Sequence, residues 1–64
     1  MKIQESAENY LETILVLSLA QPYVRSIDIA NELGFSKPSV SVAMKNLRNS
    51  GHIHVDENGH ITLA

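Results

Sequence analysis

A chain of 64 residues allows one domain with a small core, and the absence of cysteine removes disulfides and thiolate metal sites. The opening MKIQESAENY has no apolar signal stretch, and the longest apolar run, Ile14–Leu17, is far short of a membrane span; a cytoplasmic protein with no membrane partner is expected, in keeping with the missing cysteines. The net charge of −2 speaks against a nucleic-acid partner until its distribution is read: Lys37, Lys45 and Arg48 stand in a segment, 37–51, that holds no acid, and the acids lie on either side.

In chain order, the first element is predicted as a helix from about Gln4 to Leu19. Ile3, Ala7, Tyr10, Leu11, Ile14 and Leu17 recur at steps of three and four, and Glu5, Glu8 and Glu12 favour its N-terminal half. Beyond Ile14 it becomes apolar nearly all round, with Leu15, Val16 and Leu19. Either this end is deeply buried or one edge packs on another subunit or domain. Pro22 ends the helix. Tyr23-Val24-Arg25 then reads as a short extended strand that completes a sheet. Ser26 is the expected N-cap of a second helix, with Asp28 in its first turn. Ile27, Ile29, Ala30 and Leu33 form the apolar face of that helix, and Gly34 closes it.

Ser36 is again an N-cap candidate, and Pro38 falls early in the helix that follows, where a missing N–H costs little. This third helix is predicted from about Lys37 to Ser50, with Val40, Ala43, Met44 and Leu47 as its buried stripe and Gly51 at its end. His52–Leu63 alternates as a hairpin. A two-residue turn at Asn58-Gly59 would mix polar and apolar faces. A three-residue loop, Glu57-Asn58-Gly59, pairs Val55 with Ile61 and Ile53 with Leu63 and keeps one face apolar, so a type I turn with Gly59 in a bulge is expected.

Two short helices joined through Gly34-Phe35-Ser36 and followed by a hairpin make residues 1–64 one winged helix-turn-helix domain, an α+β fold of three helices and a small antiparallel sheet. Ala30 is small where the second helix must let the third approach. The unburied stripe of the third helix is Lys37, Pro38, Ser41, Val42, Lys45 and Arg48, with Ser36 and Ser39 at its N-terminal edge. The N-terminal part of such a helix enters the major groove of double-stranded DNA. Serine can bond to bases or phosphates, Val42 or Pro38 can meet a thymine methyl, and Lys45 and Arg48 are better placed for phosphates. The same residues could simply be a solvated face; the lack of acid over fifteen residues favours the DNA reading. A winged helix used as a protein-interaction module is the alternative from another class. His52, His54 and His60 offer no closed metal set and are read as solvated wing residues that gain charge beside phosphate. The wing tip, Asp56-Glu57-Asn58-Gly59, is more acidic than insertion into a groove favours. Tyr10 and Tyr23 are read as core-edge aromatics. Nothing supports an enzyme: there is no cysteine nucleophile, no Gly-rich phosphate loop and no paired carboxylates.

The segments AENYLETI (Ala7–Ile14), SIDIANEL (Ser26–Leu33) and SKPSVSVAMKNLRNSGHI (Ser36–Ile53) resemble the N-terminal domain of the metal-dependent repressors, the diphtheria-toxin-repressor family with its manganese-regulator branch. The resemblance covers nearly the whole chain and rests most on the ENYLE-type first helix combined with SKPSVS. It implies a homodimeric repressor of palindromic operators that binds DNA when loaded with iron or manganese. It also implies a helical dimerisation domain beyond the wing that supplies most metal ligands, so the chain is expected to be the DNA-binding part of a longer regulator. On the first helix, Asn9 matches a position that is Asp or Met in metal-binding members, and Glu12 matches a glutamate ligand of the manganese branch. Asparagine brings no charge to that position, so the expectation is an incomplete metal site and no cofactor held by this chain alone.

Overall fold

The computed structural model describes residues 5–64; the predicted first residue of the opening helix, Gln4, and the first of its apolar stripe, Ile3, lie outside that range. The elements are α1 (Glu5–Ala20), α2 (Ser26–Leu33), α3 (Lys37–Asn49), β1 (Ile53–Val55) and β2 (Ile61–Leu63). They enclose one core of Tyr10, Ile14, Val24, Ile29, Ala30, Val40, Met44, Leu47, Ile53 and Ile61. Every element therefore contributes at least one buried apolar side chain, and the Tyr23–Arg25 connection contributes Val24. This is a three-helix, two-strand winged helix-turn-helix arrangement.

α1 buries Tyr10, Thr13 and Ile14 and half-buries Ala7, Leu11 and Leu17. Its apolar C-terminal half is not covered by the chain. Leu15 is 49% exposed, Val16 54% and Leu19 82%, so of the two expectations for this end, deep burial within the domain does not hold. The reason is geometric: the small hairpin and two short helices cover one side of α1 and leave the rest to solvent.

α2 starts differently from the expectation. Arg25, with extended backbone (φ −123°, ψ 167°), occupies the cap position, and Ser26 is the first helical residue. The Arg25 N–H donates to Asp28 Oδ2 at 2.9 Å. With Ser26 as the cap, the residue placed to reach back would be Ile29, which carries no acceptor. Ile27, expected on the apolar face, is 40% exposed. The helix ends as predicted. Gly34 is left-handed (φ 71°), and the Ala30 carbonyl accepts from both Gly34 N–H (2.9 Å) and Phe35 N–H (3.1 Å). Space around Gly34 is open, so only its backbone conformation restricts the residue. Gly34→Val is expected to cost about 1–3 kcal/mol, because a β-branched side chain is strained at positive φ. Gly34→Asn should cost clearly less. Thermal melts of the three forms check this, and equal midpoints for glycine and valine would mean that the turn is not left-handed in solution.

α3 is capped by Ser36, whose Oγ accepts from Ser39 N–H at 3.4 Å and donates to Ser39 Oγ at 2.8 Å. Val40, Met44 and Leu47 are buried and Ala43 is half-buried. At its end the His52 N–H reaches Leu47 O (2.9 Å) and the Gly51 N–H reaches Arg48 O (3.1 Å), with Gly51 at φ 83°. These bonds turn the chain directly into the hairpin.

The hairpin has the predicted register, Ile53 opposite Leu63 and Val55 opposite Ile61. Asp56 O accepts from Gly59 N–H (3.0 Å), Asp56 N–H donates to His60 O (3.1 Å), and Gly59 is left-handed (φ 80°), as a three-residue loop with a glycine bulge requires. Ile53 and Ile61 are buried, while His52, His54 and Asp56 face solvent. Leu63, expected on the apolar face, is 38% exposed.

The expected third strand at Tyr23–Arg25 does not form. The sheet has two strands, and the connection is fastened to β2 by one backbone bond, Ile61 N–H to Val24 O at 2.7 Å. No reciprocal bond from Val24 N–H to Ile61 O accompanies it, so the pairing stops at a single bond. The Arg25 N–H is taken by Asp28.

Candidate nucleic-acid interface

The core side of α3 fixes its outer side. With Val40, Met44 and Leu47 turned inward, Lys37, Pro38, Ser39, Ser41, Val42, Lys45 and Arg48 are all exposed, Val42 at 61%. Lys37, Lys45 and Arg48 pair with no acid among the described residues. Arg48 lies in the last turn of α3, where a cation also suits the helix dipole. Ser36 is exposed, but its hydroxyl is engaged in the cap.

Ser41, Lys45 and Arg48 share a shallow groove of about 210 Å³ with Met44, Val55 of β1 and Ser26 at the start of α2. The stripe thus divides. Its middle and later residues form one wall of a concave strip between α2 and the hairpin, while Lys37, Pro38, Ser39 and Val42 stand outside that groove. Ser26 was not foreseen in this groove, because its place opposite Lys45 and Arg48 depends on how α2 packs across α3. No local signal in the sequence carries that.

The wing holds a second cluster that the sequence did not reveal. His60 is half-buried and stacks on Tyr23, with ring centroids 4.2 Å apart and planes at 19°. Its Nδ1 lies 3.3 Å from Asp56 Oδ2, and its Nε2 lies 3.4 Å from Arg25 Nη2. Arginine only donates and an ionised carboxylate only accepts, so a neutral ring carrying its proton on Nδ1 satisfies both neighbours. The Asp56 carboxyl is held below its ordinary value. The His60 backbone N–H contributes most, desolvation opposes it, and the Asn58 N–H and the His60 imidazole add to the lowering. A depressed carboxyl stabilises the fold above its unfolded value and loses that contribution only as pH falls through the folded one, so this loop keeps its contacts until below the usual carboxylate range. His52 and His54 face solvent; His52 Nδ1 lies 2.7 Å from Ser50 Oγ. Tyr10 is a core residue, in edge contact with Phe35 of the turn (5.9 Å, 76°).

Asn9 and Glu12 lie three apart on α1, both exposed. One neutral amide and one carboxylate are two donors, and the described residues contain no group of three or more His, Cys, Asp or Glu able to hold a metal ion. This donor set does not by itself fit a divalent transition-metal site. No helix among the described residues is long and apolar enough to cross a membrane.

A capped helix with an acid-free outer face, a preceding helix across it and a hairpin directly behind it define a winged helix-turn-helix DNA-binding domain. Residues 2–61 match the family model described as "Iron dependent repressor, N-terminal DNA binding domain", and the chain belongs to that family. Comparison with individually curated proteins gives no match.

Proposed function

We propose that the chain is the sequence-specific DNA-binding domain of a metal-dependent repressor and that it docks with α3 in the major groove. The observation that carries this is the outer face of α3, where three cations and no acid stand opposite a fully apolar core stripe. Ser39, Ser41, Val42 and Pro38 face the bases. Lys37, Lys45 and Arg48 face phosphates, and Ser36 holds the helix start in place. Sequence preference then resides in Ser41 and Val42, and affinity in the cations.

In the full-length protein the partner is a palindromic duplex and the active form is a homodimer joined through a C-terminal domain, in the cytoplasm. Iron or manganese is the regulating metal. Glu12 and Asn9 add at most a partial contribution to its site, and the remaining donors come from beyond this domain. No catalytic role is assigned.

The experiment is a salt titration of binding to duplex DNA. Lys45→Ala is expected to weaken binding across sequences and to lower the slope of log affinity against log salt by roughly one unit. Ser41→Ala and Val42→Ala should change the preferred operator with little effect on that slope. If Lys45→Ala changes neither affinity nor slope, the docking face is elsewhere. A second reading, a winged helix used as a protein-interaction module, rests on exposed Leu15, Val16 and Leu19. It gains if a dimerised form binds no DNA at low salt.

A further inference from the structure

The cluster at the base of the wing joins three parts of the domain through one imidazole. Tyr23 covers a face of the His60 ring. Asp56, from the loop of the hairpin, meets Nδ1. Arg25, at the cap of α2, meets Nε2. The other acid nearby is Asp28 in the first turn of α2, whose carboxylate accepts from the Arg25 backbone N–H. Glu57 lies in the loop beside Asp56 and forms no ion pair among the described residues. The two charged neighbours of the ring make opposite demands. Asp56 is served by a proton on Nδ1 in either charge state. Arg25 is served only while Nε2 keeps a lone pair, and a proton taken from water onto Nε2 sets an N–H and a positive charge against the guanidinium. Histidine is the side chain that changes charge between pH 5 and 8.

Arg25 also has a particular place. The next residue, Ser26, lines the groove that Lys45 and Arg48 line from α3, and Val55 of the hairpin closes the same groove. Arg25 itself is exposed. A guanidinium released from the wing extends the row of cations past the start of α2.

We propose that Arg25 is a further phosphate-binding residue of the interface and that His60 positions it, holding it against the wing when neutral and releasing it when protonated. The proposal rests on the DNA-binding reading above. DNA affinity therefore rises as pH falls, through Arg25 as well as through the charge on the ring.

The test has one arm without DNA. Histidine ring titrations by NMR should show the His60 midpoint move upward in Arg25→Gln, since a facing cation is removed, while His52 and His54 stay in place. The Arg25 side-chain resonance in the unmodified chain should follow the His60 midpoint. The second arm measures binding to a short labelled mixed-sequence duplex against salt at about pH 5.5 and pH 8. His60→Phe keeps a flat ring for Tyr23 but cannot hold Arg25, so at the higher pH it should bind more tightly than the unmodified chain, with a salt slope larger by roughly one unit. Arg25→Gln, a change at an exposed side chain, should remove roughly one unit of slope at the lower pH and little at the higher. If His60→Phe and the unmodified chain share one slope at the higher pH, or if Arg25→Gln leaves the low-pH slope unchanged, the proposal is overturned. A chain that binds no duplex at either pH defeats the DNA-binding reading itself and the phosphate role of Arg25 with it; the NMR midpoint still decides whether His60 and Arg25 are coupled.

Discussion

Fusing this chain to an unrelated dimerising segment is expected to tighten binding to a palindromic site by about 10²–10⁴-fold over the unfused chain. The physical ground is the small number of cations. Lys37, Lys45 and Arg48 are the ones on α3, each phosphate contact adds only about 0.9 to the salt slope, and the charged residues elsewhere in the chain are mostly acids. One copy therefore binds weakly and with strong salt sensitivity. A second copy held about one helical turn away on the duplex, roughly 34 Å, binds at the high effective concentration set by the linker. The gain should be the same with and without manganese or iron, because Asn9 and Glu12 are two donors on an exposed helix face. Gel-shift or anisotropy titrations of fused and unfused forms decide it. Tight binding by the unfused chain, or a large metal response in either form, would place the function elsewhere than in an isolated reading head.

The largest expected effect on folding comes from the centre of α2. Ile29 is fully buried and Ile27, two residues earlier, is 40% exposed. Ile29→Ala should cost about 2–5 kcal/mol, from lost transfer energy and the cavity left behind. Ile27→Ala should cost less than about 1 kcal/mol, since solvent already reaches its side chain. A domain of this size has a total stability near the low end of about 5–15 kcal/mol, so the first change should leave a visibly unfolded fraction at room temperature and the second should not. Urea melts of the two variants form a matched test with the same chemistry on the same helix. Equal losses would mean that α2 does not turn its Ile29 face to the core.

The elements that local chemistry determines were legible in the sequence. Ser36 with Pro38 two residues later fixes the start of α3, and Gly34 can take the left-handed turn that ends α2. The hairpin register follows from keeping Ile53, Val55, Ile61 and Leu63 on one face. What could not be read were features set by competition or by distance. Arg25 displaced Ser26 at the α2 cap because Asp28 sits where it can reach back to the Arg25 N–H. The third strand does not form because the connection makes one bond to β2, from Ile61 N–H to Val24 O, with no reciprocal bond from Val24. The stack of Tyr23 on His60 joins residues far apart in the chain, and neither carries a pattern that announces the other. The exposure of Leu15, Val16 and Leu19 depends on how much of α1 so short a chain can wrap, which periodicity does not report. In the candidate interface, the exposed stripe of α3 was readable and the groove wall at Ser26 was not.

If α3 docks as proposed, the Ser36–Ser39 hydroxyl pair limits how much text it can read. One proton at the head of the helix is already directed inward, from Ser36 Oγ to Ser39 Oγ. Ser39 and Ser41 remain, and a hydroxyl rotates freely between giving and accepting a bond, so it accepts several letters at one position. Val42 and Pro38 recognise little beyond a methyl group. The planar bidentate readers of guanine and adenine, arginine and asparagine, occur on α3 only at Asn46, Arg48 and Asn49, in its second half. A half-site read this way carries few bits, too few to single out one address among the roughly 10⁶–10⁹ competing positions of a genome. On the proposed docking the address comes from length: two half-sites in fixed phase, each loosely spelled, with the spacing between them as part of the message.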